Sequence, residues 1–92
     1  MIIRIMGEGQ YNVDDGVVEA LNAIDNRIVN HVSKGEEEKF REDLDRLIST
    51  VKSNGKQVET KEIMKSDIII PPQDLTLEEA KGIFKADGLI KD

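Results

Sequence analysis

The period of the hydrophobic pattern changes along the chain. Ile2 to Met6 alternates, with Ile3 and Ile5 on one face and Ile2, Arg4 and Met6 on the other, which predicts a short strand. Arg4 implies that its face is not fully buried. Gly7-Glu8-Gly9 follows, and glycines permit the positive backbone angles of a tight hairpin with a three-residue loop. Gln10 to Val13 is therefore expected to return as a second strand.

The period then lengthens. Val17, Leu21, Ile24 and Ile28 recur at spacings of four, three and four, predicting a helix over about 15–32. Asp14 is its N-cap, with Val13 and Val18 placed as a hydrophobic staple, and Gly35 marks its end. Phe40, Leu44, Leu47, Ile48 and Val51 form a second apolar stripe. Glu36, Glu37 and Glu38 put negative charge in its first turn, where the helix dipole favours it. Lys52 and Asn54-Gly55 supply a stop. The short connection at Lys34-Gly35 makes the two helices an antiparallel hairpin.

From Lys56 to Ser66 the pattern weakens. Gln57 to Thr60 reads as extended and Lys61 to Lys65 as a single helical turn, with neither compelled. Asp67 to Ile70 reads as a buried strand beside the first, ended by Pro71-Pro72 because proline cannot donate to a ladder. Thr76 and Glu79 have the spacing of a capping box, Ala80, Ile83 and Phe84 make the apolar side of a short helix, and Gly88 ends it. Leu89-Ile90 is expected to fold back on the core. The predicted fold class is α+β: an N-terminal β-hairpin, an antiparallel helix pair, a further strand near 67–70 and a short C-terminal helix. All of it forms one domain over 1–92, since neither side of Pro71-Pro72 has a sufficient core alone.

Composition narrows the function. With 3% aromatic residues the core must be built from Ile, Val and Leu, and the absence of cysteine removes disulfides, thiolate nucleophiles and cysteine-based metal sites. The net charge of −6, from 19 acidic and 13 basic residues, opposes binding to phosphate backbones. Arg4, Arg27, Arg41 and Arg46 are scattered and make no nucleic-acid patch, so a small dimeric DNA-binding regulator is disfavoured. Apolar runs such as Ile68 to Ile70 fall far short of the roughly 20 residues that span a bilayer. No secretory signal core is evident, and a cytoplasmic protein without direct membrane insertion is expected. The favoured partner is a protein with basic surface, and the middle helical stripe allows a homodimer that shares it.

The reactive side chains do not assemble into a recognisable site. Gly7-Glu8-Gly9 is a poor phosphate loop: Asn12 stands where a third glycine belongs, Glu8 repels phosphate, and the helix begins too late. His31 is the sole histidine and lacks a second donor at ligand spacing on its helix. Asp14-Asp15, Glu36 to Glu38, Asp43 with Asp45, and Glu78-Glu79 are explained by helix capping and solvation, and none has the pattern of a calcium loop. No catalytic, metal-binding or cofactor-binding residue is assigned, and no cofactor is expected. The alternative is a small ligand-binding or catalytic domain using carboxylates and His31, which requires a concave site where His31 meets a carboxylate.

Five stretches taken in order carry a resemblance: "MIIRIMGEGQYNV", "LNAIDNRIV", the Gly35-to-Phe40 entry to the second helix, "SDIIIPP" and "TLEEAKGIFKADGLI". Together they resemble the PspA-associated (PspAA) family over nearly the whole chain. The resemblance implies a non-enzymatic accessory or regulatory protein in a membrane-stress response built around PspA-type membrane-remodelling coiled-coil proteins, with such a protein as partner. It carries over no catalytic residues. Glu8, Gln10 and Tyr11, at the hairpin turn, are the candidate partner contacts because the tip should be exposed.

Overall fold

The alternating first residues form an inner strand of a four-stranded sheet. In a computed structural model, which describes residues 1–59 and 65–84, β1 (Ile2–Ile5) pairs antiparallel with β2 (Gly9–Asn12). The intervening turn uses Gly7 at φ 85° and leads into Gly9 at φ 108°, both in the region closed to most side chains. Glu8 N–H donates to the Ile5 carbonyl over 2.9 Å and closes the turn. The predicted hairpin is present, with both strands one residue earlier at their ends than the alternation suggests.

β2 runs into α1 (Asp15–Ser33), which is followed by α2 (Glu37–Asn54), β3 (Lys56–Gln57), β4 (Ile68–Ile70) and α3 (Leu77–Ile83). The sheet order is β3-β2-β1-β4. β3 pairs antiparallel with β2, whereas β4 pairs parallel with β1. Ile3, Ile5, Tyr11, Ile68 and Ile70 share one face and pack in a single core with the helical stripes. Leu21, Ile24, Ile28 and Val32 enter it from α1, and Phe40, Leu44, Leu47, Ile48 and Val51 from α2. These stripes are thus consumed within one chain, which removes the predicted surface for a homodimer sharing them.

Phe40 and Phe84 meet edge to face at 6.2 Å between centroids and 70° between planes, a contact worth about 0.5–1.5 kcal/mol beyond area burial. That contact fastens the end of α3 to the start of α2. The capping box predicted for α3 is complete, with Thr76 accepting from Glu79 N–H and the Glu79 carboxylate accepting from Thr76 N–H.

Two expectations change. Asp14 occupies the N-cap of α1 but makes no side-chain capping bond. Gly55 stops α2 as expected, in extended geometry at φ −90° and ψ 156°. Its reason is crowding: a Cβ there would lie 2.6 Å from the Val51 carbonyl oxygen and 2.8 Å from Val13 Cγ1. Ile68 to Ile70 is not buried throughout, since Ile69 is 54% exposed on the face away from the core. The proposed helical turn at 61–65 lies outside the described residues over 61–64, and the roles of Gly88, Leu89 and Ile90 lie wholly outside them.

Candidate functional site

The three hairpin residues expected to form a contact tip have different surroundings. Glu8 is exposed, and its Oε1 accepts from Lys52 Nζ of α2 at 2.6 Å. That pairing, first through the hydrogen bond and then through charge attraction, raises the Lys52 pKa above its ordinary value. Gln10 is buried, with its Nε2 donating to Ser66 Oγ at 2.8 Å on the sheet face opposite the core. Tyr11 is buried on the core face, opposite Ile3 and against the crowded Gly55 position. Strand alternation separates the two, so Glu8 alone of the three offers its side chain to solvent.

A second constellation lies on the seam between α1 and α2. Asp43 is almost fully buried, its side chain 4% exposed, and its carboxylate receives groups from both helices. Arg27 Nη2 donates to Oδ1 at 2.7 Å, His31 Nδ1 lies 2.7 Å from Oδ2, and Arg46 Nη1 stands 4.0 Å from Oδ1. Arg27 and His31 are one helical turn apart, which brings both onto the same side of α1. Burying a carboxylate is tolerated where it is paired and hydrogen-bonded; Arg27 supplies both to Oδ1, while Oδ2 faces His31 Nδ1 without a hydrogen bond between them.

Asp43 corrects the expectation that the Asp43 and Asp45 pair is solvated; only Asp45 is exposed. A signal was present, because Asp43 falls three residues after Phe40 and four before Leu47, on the apolar stripe of α2. Asp25, fully buried in α1, follows the same logic between Leu21 and Ile28.

The meeting of His31 with a carboxylate, required by the catalytic alternative, is therefore present. Its setting is a helix seam. A surface hollow of about 290 Å³ is lined by Asp45, Ile48, Ser49, Lys52, Ser53 and Gln73, and another by Glu36 to Lys39; neither includes His31. Ser33, the nearest hydroxyl in sequence, donates back to the Asn30 carbonyl at 2.9 Å. A carboxylate behind an imidazole orients it, but acyl-transfer chemistry also needs a nucleophile and oxyanion donors, which these contacts do not supply.

Among the described residues, no group of three or more His, Asp or Glu side chains is placed to hold a metal ion. Nor is any described helix long and apolar enough to cross a membrane. The exposed surface is dominated by charge. On α2, Glu38, Glu42 and Asp45 recur at spacings of four and three and make one exposed acidic stripe, and α1 adds Asp15 and Glu19 one turn apart.

A protein-family model described as PspA-Associated protein matches residues 1–92. No curated protein and no solved structure matches the chain.

Proposed function

The chain belongs to the PspA-associated family, and from that membership we propose that it is a non-enzymatic accessory or regulatory module of a PspA-type membrane-stress response. The match over residues 1–92 carries this reading. It acts in the cytoplasm by protein–protein contact, and its partner is a PspA-type membrane-remodelling protein. The acidic stripe of α2 favours docking to basic surface on that helical partner. A homodimer, where one forms, uses surfaces other than the buried helical stripes.

Calorimetry with the purified PspA-type protein of the same organism tests the proposal. Association at low salt that weakens steeply as salt rises is the expected result, because screening shortens the reach of exposed charges. No association at any salt concentration would refute direct docking. Co-purification from stressed native cells provides a second check: recovery of a metabolic enzyme instead of a PspA-type protein would overturn the functional assignment.

A further inference from the structure

Of the asparagines in the chain, Asn54 alone is followed by glycine, in the stretch Ser53-Asn54-Gly55-Lys56. That pair has a chemistry of its own. A glycine carries no side chain to shield its amide, so its nitrogen can reach the side-chain carbonyl carbon of the preceding asparagine and close a succinimide ring. Asn54 is the exposed last residue of α2, and Gly55 is the partly buried residue that leads to β3.

In the folded chain both reactants are held. Gly55 N–H donates to the Val51 carbonyl over 2.7 Å, and Asn54 Nδ2 donates to the Thr50 carbonyl over 2.9 Å. The first bond retains the proton that the nitrogen must lose, and the second turns the side-chain amide back along its own helix. Gly55 is also closely packed, since a Cβ there would lie 2.6 Å from the Val51 carbonyl oxygen, 2.8 Å from Val13 Cγ1 and 3.1 Å from Tyr11 Cβ. Its nitrogen cannot turn towards Asn54 without leaving this packing. The hold on the far side is slight, because β3 is only the exposed residues Lys56 and Gln57 paired with β2. Release of that strand together with the last turn of α2 frees both reactants, at a cost below that of global unfolding.

We propose that Asn54-Gly55 is a site of spontaneous deamidation, kept closed by the fold and exposed by local opening at the junction of α2 and β3. Once the junction opens, hydroxide takes the Gly55 N–H proton and the nitrogen attacks Asn54 Cγ. A C–N bond forms, the Cγ–Nδ2 bond breaks, and Nδ2 leaves as ammonia with a proton from water. A water molecule then opens the ring at either carbonyl. One product is aspartate on the ordinary backbone; the other is isoaspartate, in which the chain continues through the side-chain carbons. Both carry a new negative charge. The isoaspartyl link also adds a methylene to the main chain beside Gly55, where there is no free space, so it does not restore the close approach of α2 to β2. The site stands apart from the PspA-linked reading and does not depend on it.

The test follows the full chain by intact mass in mildly alkaline buffer, with and without denaturing guanidinium chloride. Denatured chain should gain the mass of an amide exchanged for an acid; folded chain should do so about tenfold or more slowly, because two hydrogen bonds must open first. Guanidinium below the unfolding transition should leave the folded rate unchanged, since a local opening exposes little surface. Asn54→Gln keeps an amide and should suppress the heavier species throughout. The isoaspartyl form, separated by chromatography, should unfold at lower denaturant than Asn54→Asp, which has the same charge on the ordinary backbone. Equal rates in folded and denatured chain would overturn the closure, and a rate rising with each increment of guanidinium would assign the reaction to global unfolding. An undiminished heavier species in Asn54→Gln would overturn the site. Equal stability of the isoaspartyl form and Asn54→Asp would overturn its effect on packing.

Discussion

Removing the cation beside Asp43 leaves a carboxylate that is 4% exposed and dependent on His31 and the more distant Arg46. Arg27→Met is expected to cost about 2 kcal/mol, in the range for hydrogen bonds to charged groups and reduced because Arg27 is half exposed. Adding Asp43→Leu should recover much of that loss, since replacing a buried ion pair by apolar side chains is often neutral or stabilising. Urea unfolding of the two single variants and the double variant measures both effects; simple additivity would mean that the residues are not coupled. The phase of α2 made the burial of Asp43 legible in the sequence. Its partner was not, because Arg27 lies on another helix and spacing within one helix says nothing of the register between two. The Lys52 pairing with Glu8 makes a different prediction. Its folded pKa is raised, so the contribution of the pair is complete below the ordinary lysine range and is lost as pH rises through the folded value. NMR titration of the Lys52 side chain should show this displacement, which Glu8→Gln or high salt should abolish.

At the scale of elements, two glycines predict opposite outcomes. Gly55→Ala forces a Cβ against the Val51 carbonyl and Val13, and should destabilise by about 1–3 kcal/mol. Gly16→Ala meets nothing within 4 Å in the first turn of α1 and should stabilise by about 0.4–1 kcal/mol. Thermal unfolding of the pair checks the signs; a stabilising Gly55→Ala would contradict the close approach of α2 to β2. Thr76→Ala removes the capping box and should cost about 1 kcal/mol, read as faster amide exchange within α3. The helices were legible because their stripes run for several turns. β3 was only partly so: Lys56 and Gln57 are both exposed, leaving no burial pattern to mark a strand held by its neighbour. For β4, three successive isoleucines conceal which one faces out. That choice is made by pairing with β1, more than sixty residues away in the chain.

For the whole molecule, charge and topology set the behaviour. With a sequence pI near 4.8, the net negative charge that the chain carries at neutral pH vanishes in mild acid. A solubility minimum near pH 4.8 is expected by light scattering; constant solubility through that range would show that net charge does not govern the solubility of this chain. Topology bears on how the chain is made. β1 is synthesised before β4, and its hairpin with β2 closes locally, but its other side pairs with β4, where Ile2 N–H also reaches Asp67 Oδ2 at 2.8 Å. On the ribosome that side of β1 must wait for Ile68 to Ile70 to emerge, after both long helices have been made. The nascent chain therefore passes through a stage in which a helical hairpin and a two-stranded ribbon are complete while an apolar strand still lacks one neighbour. In that interval the open side of β1 is an unpaired strand edge, the kind of surface on which nascent chains mispair and aggregate.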